Sequence, residues 1–221
     1  MKLNTFELKN IILLFVTALS MLVFVPVAGK LDQQLAIGWL DPNAKFYLED
    51  NGWLVHIGHE GLKDVVIAIA VFYLFLYIKQ KKSQQALFIV VSMGLSVSVI
   101  GLLKATSVHA CPWSMVEMHQ NIIDWNKPIQ GLGKCFPGGH ASAGFSLVAL
   151  FFAYYDRSPI KAKVLLTLAV MLGAVMSLVQ MLRGAHFLSH NLWALWWSWA
   201  TSFVLYLIWV RHPKQTLRFK R

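Results

Sequence analysis

Charge is scarce in this chain, and acidic charge is scarcest. Only 14% of its 221 residues are Asp, Glu, Lys or Arg, the acids number 10 against 20 bases, and none follows Asp156. With 57% hydrophobic residues and a mean hydropathy of +0.56, that scarcity excludes an ordinary soluble domain. Cysteine is nearly absent: Cys111 and Cys135 allow at most one internal bond. Repeats and low-complexity tracts are missing as well, so residues 1–221 read as one domain.

What the sequence has instead is long apolar runs. Runs at about 10–29, 64–78, 86–103, 141–155, 164–182 and 191–210 suit helices crossing about 30 Å of hydrocarbon. The fold expected is all-α, a six-span transmembrane helical bundle. The first run is too long for the core of a secretory signal, and Pro26-Val27-Ala28-Gly29 is a poor cleavage site, so it is kept as a helix.

Basic loops resist translocation, so Lys and Arg set the orientation. Lys2, Lys9, Lys79, Lys81, Lys82, Arg157, Lys161, Lys163 and the tail from Arg211 through Lys214, Arg218 and Lys220 to Arg221 fall on one side. That side, with both termini, is expected in the cytoplasm. All histidines except His212 fall on the other. The net charge of +10 therefore follows from topology and contact with anionic lipid. No basic stripe with interleaved aromatics is present, so no nucleic-acid partner is expected.

Three strings at the histidine-rich ends of these runs carry chemistry. Lys104 closes the third run, and Cys111-Pro112 follows after six intervening residues. In Pro137-Gly138-Gly139-His140 the proline stops any preceding helix, and the glycines expose backbone N–H groups where the fourth run begins, an arrangement suited to anions. In Arg183-Gly184-Ala185-His186-Phe187-Leu188-Ser189-His190-Asn191, a helix-like turn would put Arg183, His186 and His190 on one face, with Ser189 as the cap of the last helix. A guanidinium and two imidazoles so placed need an anion between them.

Together the strings resemble the integral-membrane branch of the phosphatidic acid phosphatase type 2 superfamily, whose pattern is K-x6-R-P, P-S-G-H and S-R-x5-H-x3-D. The resemblance covers residues 104–191 in the right order. It implies that Lys104 binds phosphate, that His140 is the general acid and that His186 is the nucleophile, forming a phosphohistidine hydrolysed without metal or other cofactor. Arg183 and the Gly138 and Gly139 amides would share the phosphoryl charge.

The departures are specific. Cys111 stands where the family has Arg, Gly138 where it has Ser, Gln180 at the third-motif Arg and His190 at the Asp. His190 or Asn191 can orient His186 by a hydrogen bond but brings no negative charge. An acid from another loop, Glu60, Glu117 or Asp124, is the alternative. Cys111 and Cys135 lie in one loop on the oxidising side and are expected to bond, clamping the first motif to the second. His109 or Lys134 would then supply the charge lost at position 111.

The resulting expectation is a phosphatase acting on a membrane lipid phosphate or diphosphate in a bacterial inner membrane, with its site at the periplasmic interface. Isoprenyl diphosphates, lipid A phosphates and phosphatidic-acid-like lipids are the candidates. Phosphoryl transfer to another lipid and a non-enzymatic haem- or quinone-binding protein are the alternatives. His56, His59 and Glu60 read as an interfacial polar turn, because their spacing is not that of a helical zinc site. Trp193, Trp196, Trp197 and Trp199 read as lipid contact and helix packing. The stretch from Lys30 to Lys63 reads as an interfacial segment.

Overall fold

The computed structural model describes residues 3–80, 83–119, 122–125 and 133–211. Lys2, Lys81, Lys82 and the tail from His212 to Arg221 lie outside them, as do the side chains of Glu117, Asp124 and Arg211. Among the described residues, five helices are long and apolar enough to cross a membrane: α1 (Thr5–Phe24), the continuous Leu54–Lys79, α4 (Gln84–Thr106), α7 (Pro159–Leu182) and Leu188–Trp209 of α8 (Leu188–Arg211). Leu54–Lys79 begins as a π-helical turn, Leu54–Gly61, and becomes α3 at Leu62–Lys79. The second span thus starts ten residues before the apolar run predicts, because His56, His59 and Glu60 are carried inside the helix.

The sixth, shorter apolar passage is Gly139–Tyr154, formed by α5 (Gly139–Ser146) and α6 (Ala149–Tyr154). At 1.5 Å per residue it spans roughly 24 Å. It is short because it begins inside the bundle, at the glycine corner. Between α5 and α6 the chain tightens: Leu147 N donates to Gly144 O and Val148 N to Phe145 O.

Local chemistry starts and stops these helices. Asn4 and Glu7 cap α1 reciprocally, each side chain accepting from the other's backbone N–H at 2.8 and 3.1 Å. Pro159 opens α7, where its missing N–H is not needed. The core at the Lys/Arg-rich end gathers Phe88, Val148, Phe152, Met176, Phe203 and Tyr206, with Phe6 stacked on Tyr155 at 3.8 Å. A Cβ on Gly144 would come within 2.7 Å of the Gly173 Cα, so α5 and α7 pack backbone against backbone. Helix α8 is tied to α1 by indole donors: Trp196 Nε1 to Leu14 O and Trp199 Nε1 to Asn10 Oδ1, each at 2.9 Å. Phe15, Leu22, Phe75, Leu168 and Met171 point outward, as lipid-facing side chains do.

The histidine-rich end is roofed rather than open. Helix α2 (Lys30–Ile37) and the loop after it pack Ala36, Ala44 and Phe46 against Val116, Trp125 and Phe187. Of the stretch read as interfacial, 30–63, the first part thus covers the turn that carries His186, whereas residues from Leu54 onward belong to the second span. Beside it, strands β1 (Glu117–His119) and β2 (Ile122–Asp124) pair antiparallel, His119 opposite Ile122.

Candidate active site

Four elements meet beneath that roof. Lys104 comes from the last turn of α4, and the Pro137-Gly138-Gly139-His140 corner opens α5. His186 lies on the turn after α7, and His190 and Asn191 lie in the first turns of α8. Gly138 N donates to His190 O at 2.8 Å, fastening the second string to the third. A Cβ on Gly139 would sit 3.4 Å from Lys104 Nζ, so the ammonium lies over the glycine corner. A Cβ on Gly138 would collide with Asn191 Oδ1, which explains glycine where the family pattern has serine. Gly138, one of the departures, is thus matched to Asn191.

The turn from Arg183 to Phe187 is not helical, contrary to the helix-like reading of its spacing. Gly184 adopts φ +72° with the Phe46 ring against it, a conformation and a clearance that favour glycine. His186 N and Ala185 N both donate to Gln180 O, at 3.3 and 2.9 Å, folding the chain back over the end of α7. His186 and His190 still meet, their Nδ1 atoms 3.4 Å apart. Both are buried. Arg183 lies at the rim, where its Nε donates to Glu49 O at 3.0 Å and its charge acts on His59 and His140.

Ser189 is not the cap of the last helix. The helix already begins at Leu188, and the capping acceptor is Asp32 on α2, 1% exposed. Its carboxylate accepts from Ser189 N at 3.0 Å and from Ser189 Oγ, and from Leu188 and Ala28 backbone N–H groups as well. Burial pushes the Asp32 carboxyl above its ordinary range, and these donors pull it back. Sequence reasoning missed this residue because nothing local links it to position 189. Glu60 is paired with exposed His56 at 3.1 Å instead.

The structure contains the Cys111–Cys135 disulfide, with Cα atoms 5.2 Å apart. Lys134 N donates to Ser107 O and Cys135 N to His109 O, so the segment before the glycine corner runs beside the one after Lys104. The Cys135 backbone carbonyl acts on the rings of both His186 and His190. His190 uses Nδ1 for this, since its Nε2 is buried without a partner. His186 turns its Nδ1 toward the same residue, 3.4 Å from Cys135 Sγ. A backbone carbonyl, and not a carboxylate, thus stands beside both imidazoles.

Burial, reinforced by His190 and Lys104, holds the His186 imidazole well below its ordinary pKa. It is therefore neutral at pH 7, with a lone pair available. The Cys135 Sγ and the ring nitrogens of His186 and His190 all lie within 4.8 Å of one another. That sulfur is bonded to Cys111, and a disulfide sulfur is not a thiolate ligand.

Several buried polar atoms around this volume have no hydrogen-bond partner among the described residues: His140 Nε2, His190 Nε2, Gln180 Nε2 and Asn191 Oδ1. Buried polar groups are nearly always paired, so unpartnered atoms on four site residues are consistent with a polar ligand. Gln180 stands at the position of the family's third-motif arginine. The two residues expected to replace the charge of that motif's partner at position 111 lie outside this volume. His109 is exposed and packs on Phe136, which in turn meets His190 at 5.6 Å, and Lys134 is exposed.

His59 is the residue that sequence reasoning undervalued. It does not sit in a mere polar turn: its ring stacks on His140, centroids 3.9 Å apart and planes 15° from parallel.

The sequence matches the PAP2 superfamily over residues 85–214, more than half of the chain. The chain belongs to the PAP2 superfamily. Among solved structures it is similar to the crystal structure of the first transmembrane PAP2 type phosphatidylglycerolphosphate phosphatase from Bacillus subtilis. The TM-score is 0.57 at 12% identity, covering 90% of this chain and 93% of that one. At such identity the likeness speaks for the fold. No curated protein matches the sequence. The protein is thus a multi-pass membrane protein of a phosphatase superfamily, and all three motif strings fall within the matched region.

Proposed function

We propose that this protein is a metal-independent lipid phosphatase that passes the phosphoryl group of a membrane lipid phosphate or diphosphate to His186 and then to water. The observation that carries the reading is the buried, neutral His186, its Nδ1 side held by the Cys135 carbonyl, in one volume with Lys104 and the Gly138-Gly139-His140 corner. In the first step His186 Nε2 attacks phosphorus, an N–P bond forms and the P–O bond to the lipid breaks. His140, entering the step protonated on both nitrogens, gives its Nε2 proton to the departing oxygen. In the second, His140 takes a proton from water, the water oxygen bonds to phosphorus and the N–P bond breaks. Lys104, the glycine amides and, from the rim, Arg183 balance the charge on the equatorial oxygens.

Placement at one end of an apolar bundle favours a phosphate carried on hydrocarbon. A groove of about 390 Å³ along α1, α7 and α8, lined by Leu13, Leu14, Met21, Leu192, Leu195 and Trp196, suits such a chain. The solved neighbour is a phosphatidylglycerolphosphate phosphatase; lipid A phosphates and isoprenyl diphosphates fit the same chemistry. The distribution of Lys and Arg and the disulfide support a bacterial inner-membrane protein with its termini in the cytoplasm and its site facing the periplasm.

The test is phosphate release from a panel of these lipids with chelator present, beside His186→Ala and His140→Ala. Both variants are expected to lose release while remaining folded. Turnover at the wild-type rate in His186→Ala would end the reading, and appearance of the phosphate on a second lipid would make the enzyme a phosphotransferase.

A further inference from the structure

The π-helical turn at the start of the second span has a consequence for His140. Such turns are uncommon and concentrate at functional sites, because the extra residue per turn redirects one side chain. Here the redirected residue is His59. A Cβ on Gly58 would lie 2.9 Å from Val179 Cγ2, so only glycine lets this turn press against α7 and bring the next residue over the glycine corner. The result is the face-to-face stack of His59 on His140.

The backbone of His59 makes a second contact. Its carbonyl acts on the His140 ring as well. His140 Nε2 is buried and unpartnered, so the nitrogen engaged is Nδ1. A proton held on Nδ1 by a carbonyl fixes the orientation of the ring and leaves Nε2 to exchange a proton with the substrate. Around the pair lie Arg183, Lys63 and Lys104, with Glu60 on the same turn as His59. His59 touches the ring of the acid and not the phosphoryl pocket as such.

We propose that His59 is a positioning residue for His140: its carbonyl holds the Nδ1 proton, and its stacked ring keeps the imidazole plane turned so that Nε2 meets the leaving oxygen. The inference rests on the phosphatase reading for its kinetic consequence but not for its structural one. A general acid contributes about 10²- to 10⁴-fold to rate. A tilted acid forfeits part of that, so His59→Ala is expected to lose about 10- to 100-fold. The loss should fall where protonation of the leaving group matters.

The kinetic experiment compares the first turnover of two water-soluble substrates, 4-nitrophenyl phosphate and an alkyl phosphate, in wild type, His59→Ala and His59→Phe. The nitrophenolate departs without a proton, so its burst rate should be nearly unchanged in His59→Ala while the alkyl phosphate slows. His59→Phe, which keeps a stacked ring, should recover most of the loss. Equal slowing of both substrates, or of neither, overturns the proposal.

A second measurement stands apart from activity. The 15N shifts of His140, in protein labelled at histidine and held in nanodiscs, report which nitrogen carries the proton. Wild type is expected to show one tautomer protonated at Nδ1, and His59→Ala a mixture. A neutral wild-type His140 protonated at Nε2 and not at Nδ1 would refute the positioning role even if the enzyme is a phosphatase. Absence of all phosphate release alongside the expected shifts would refute the phosphatase reading and leave the positioning intact. Should His59→Ala fail to fold, His59→Phe and the wild-type tautomer decide the matter.

Discussion

Severing the Cys111–Cys135 bond should affect stability and turnover by separate routes. The two cysteines are 24 residues apart in sequence, and closing a loop of that size restricts the unfolded chain by about 3.5 kcal/mol at 25 °C. The catalytic effect comes through Cys135 itself, whose carbonyl orients both His186 and His190. A hydrogen bond to a group that gains charge as the reaction proceeds is worth about 1.5–3 kcal/mol. Its loss corresponds to a decrease of roughly 10- to 150-fold in kcat. Lys104 is also held within α4 and Gly138 N by His190 O, so KM should change less than kcat. The assay is phosphate release by wild type, reduced wild type and the Cys111→Ser/Cys135→Ser double variant in nanodiscs, each with its thermal midpoint. A double variant that melts lower but turns over at the wild-type rate would show that the disulfide does not hold the Cys135 carbonyl against the nucleophile, and the link from bond to turnover would fall.

Three further outcomes follow from the geometry. Asp32→Ala strands the Ser189 N–H and hydroxyl in a buried position, so it should destabilise the protein by about 2–4 kcal/mol and lower activity through disorder of the His186 turn; an unchanged thermal midpoint would refute the capping role. Gly138→Ser restores the family residue yet collides with Asn191 Oδ1, so it should cost about 1–3 kcal/mol, and Asn191→Ala should recover much of that loss; strictly additive effects would disprove the coupling. Because His186 stays neutral in the fold, the unfolded chain alone binds its proton below about pH 6.5, so stability falls as pH drops through that value and is constant above it. His186→Gln should flatten that slope, and parallel melting curves for the two proteins between pH 8 and 5 would contradict it.

Much of the site was legible in the chain because its parts are local strings. Lys104 at a helix end, the glycine corner before His140 and the His186-to-His190 spacing each depend on a few consecutive residues. Where reasoning from spacing went astray, a long-range contact was responsible. The turn after α7 is bent by Gly184 and Phe46 rather than helical, and Ser189 is capped from position 32. His56, His59 and Glu60 looked like one polar group, but only the π-helical register separates the exposed His56–Glu60 pair from the His59 that meets His140.

The amino-acid order alone determined that the chain crosses a membrane and how its spans are punctuated. Hydropathy and capping act over a turn or a helix, so they can be read without knowing the partners. The tertiary structure decided what orients the reactive imidazoles. No acid occupies the customary place four residues after His186, and the Cys135 carbonyl, the Asp32 cap and the His59 ring all arrive from distant segments. Hydrogen bonds and ring stacks require approach to within about 3–4 Å. Only the packed helices bring those segments that close.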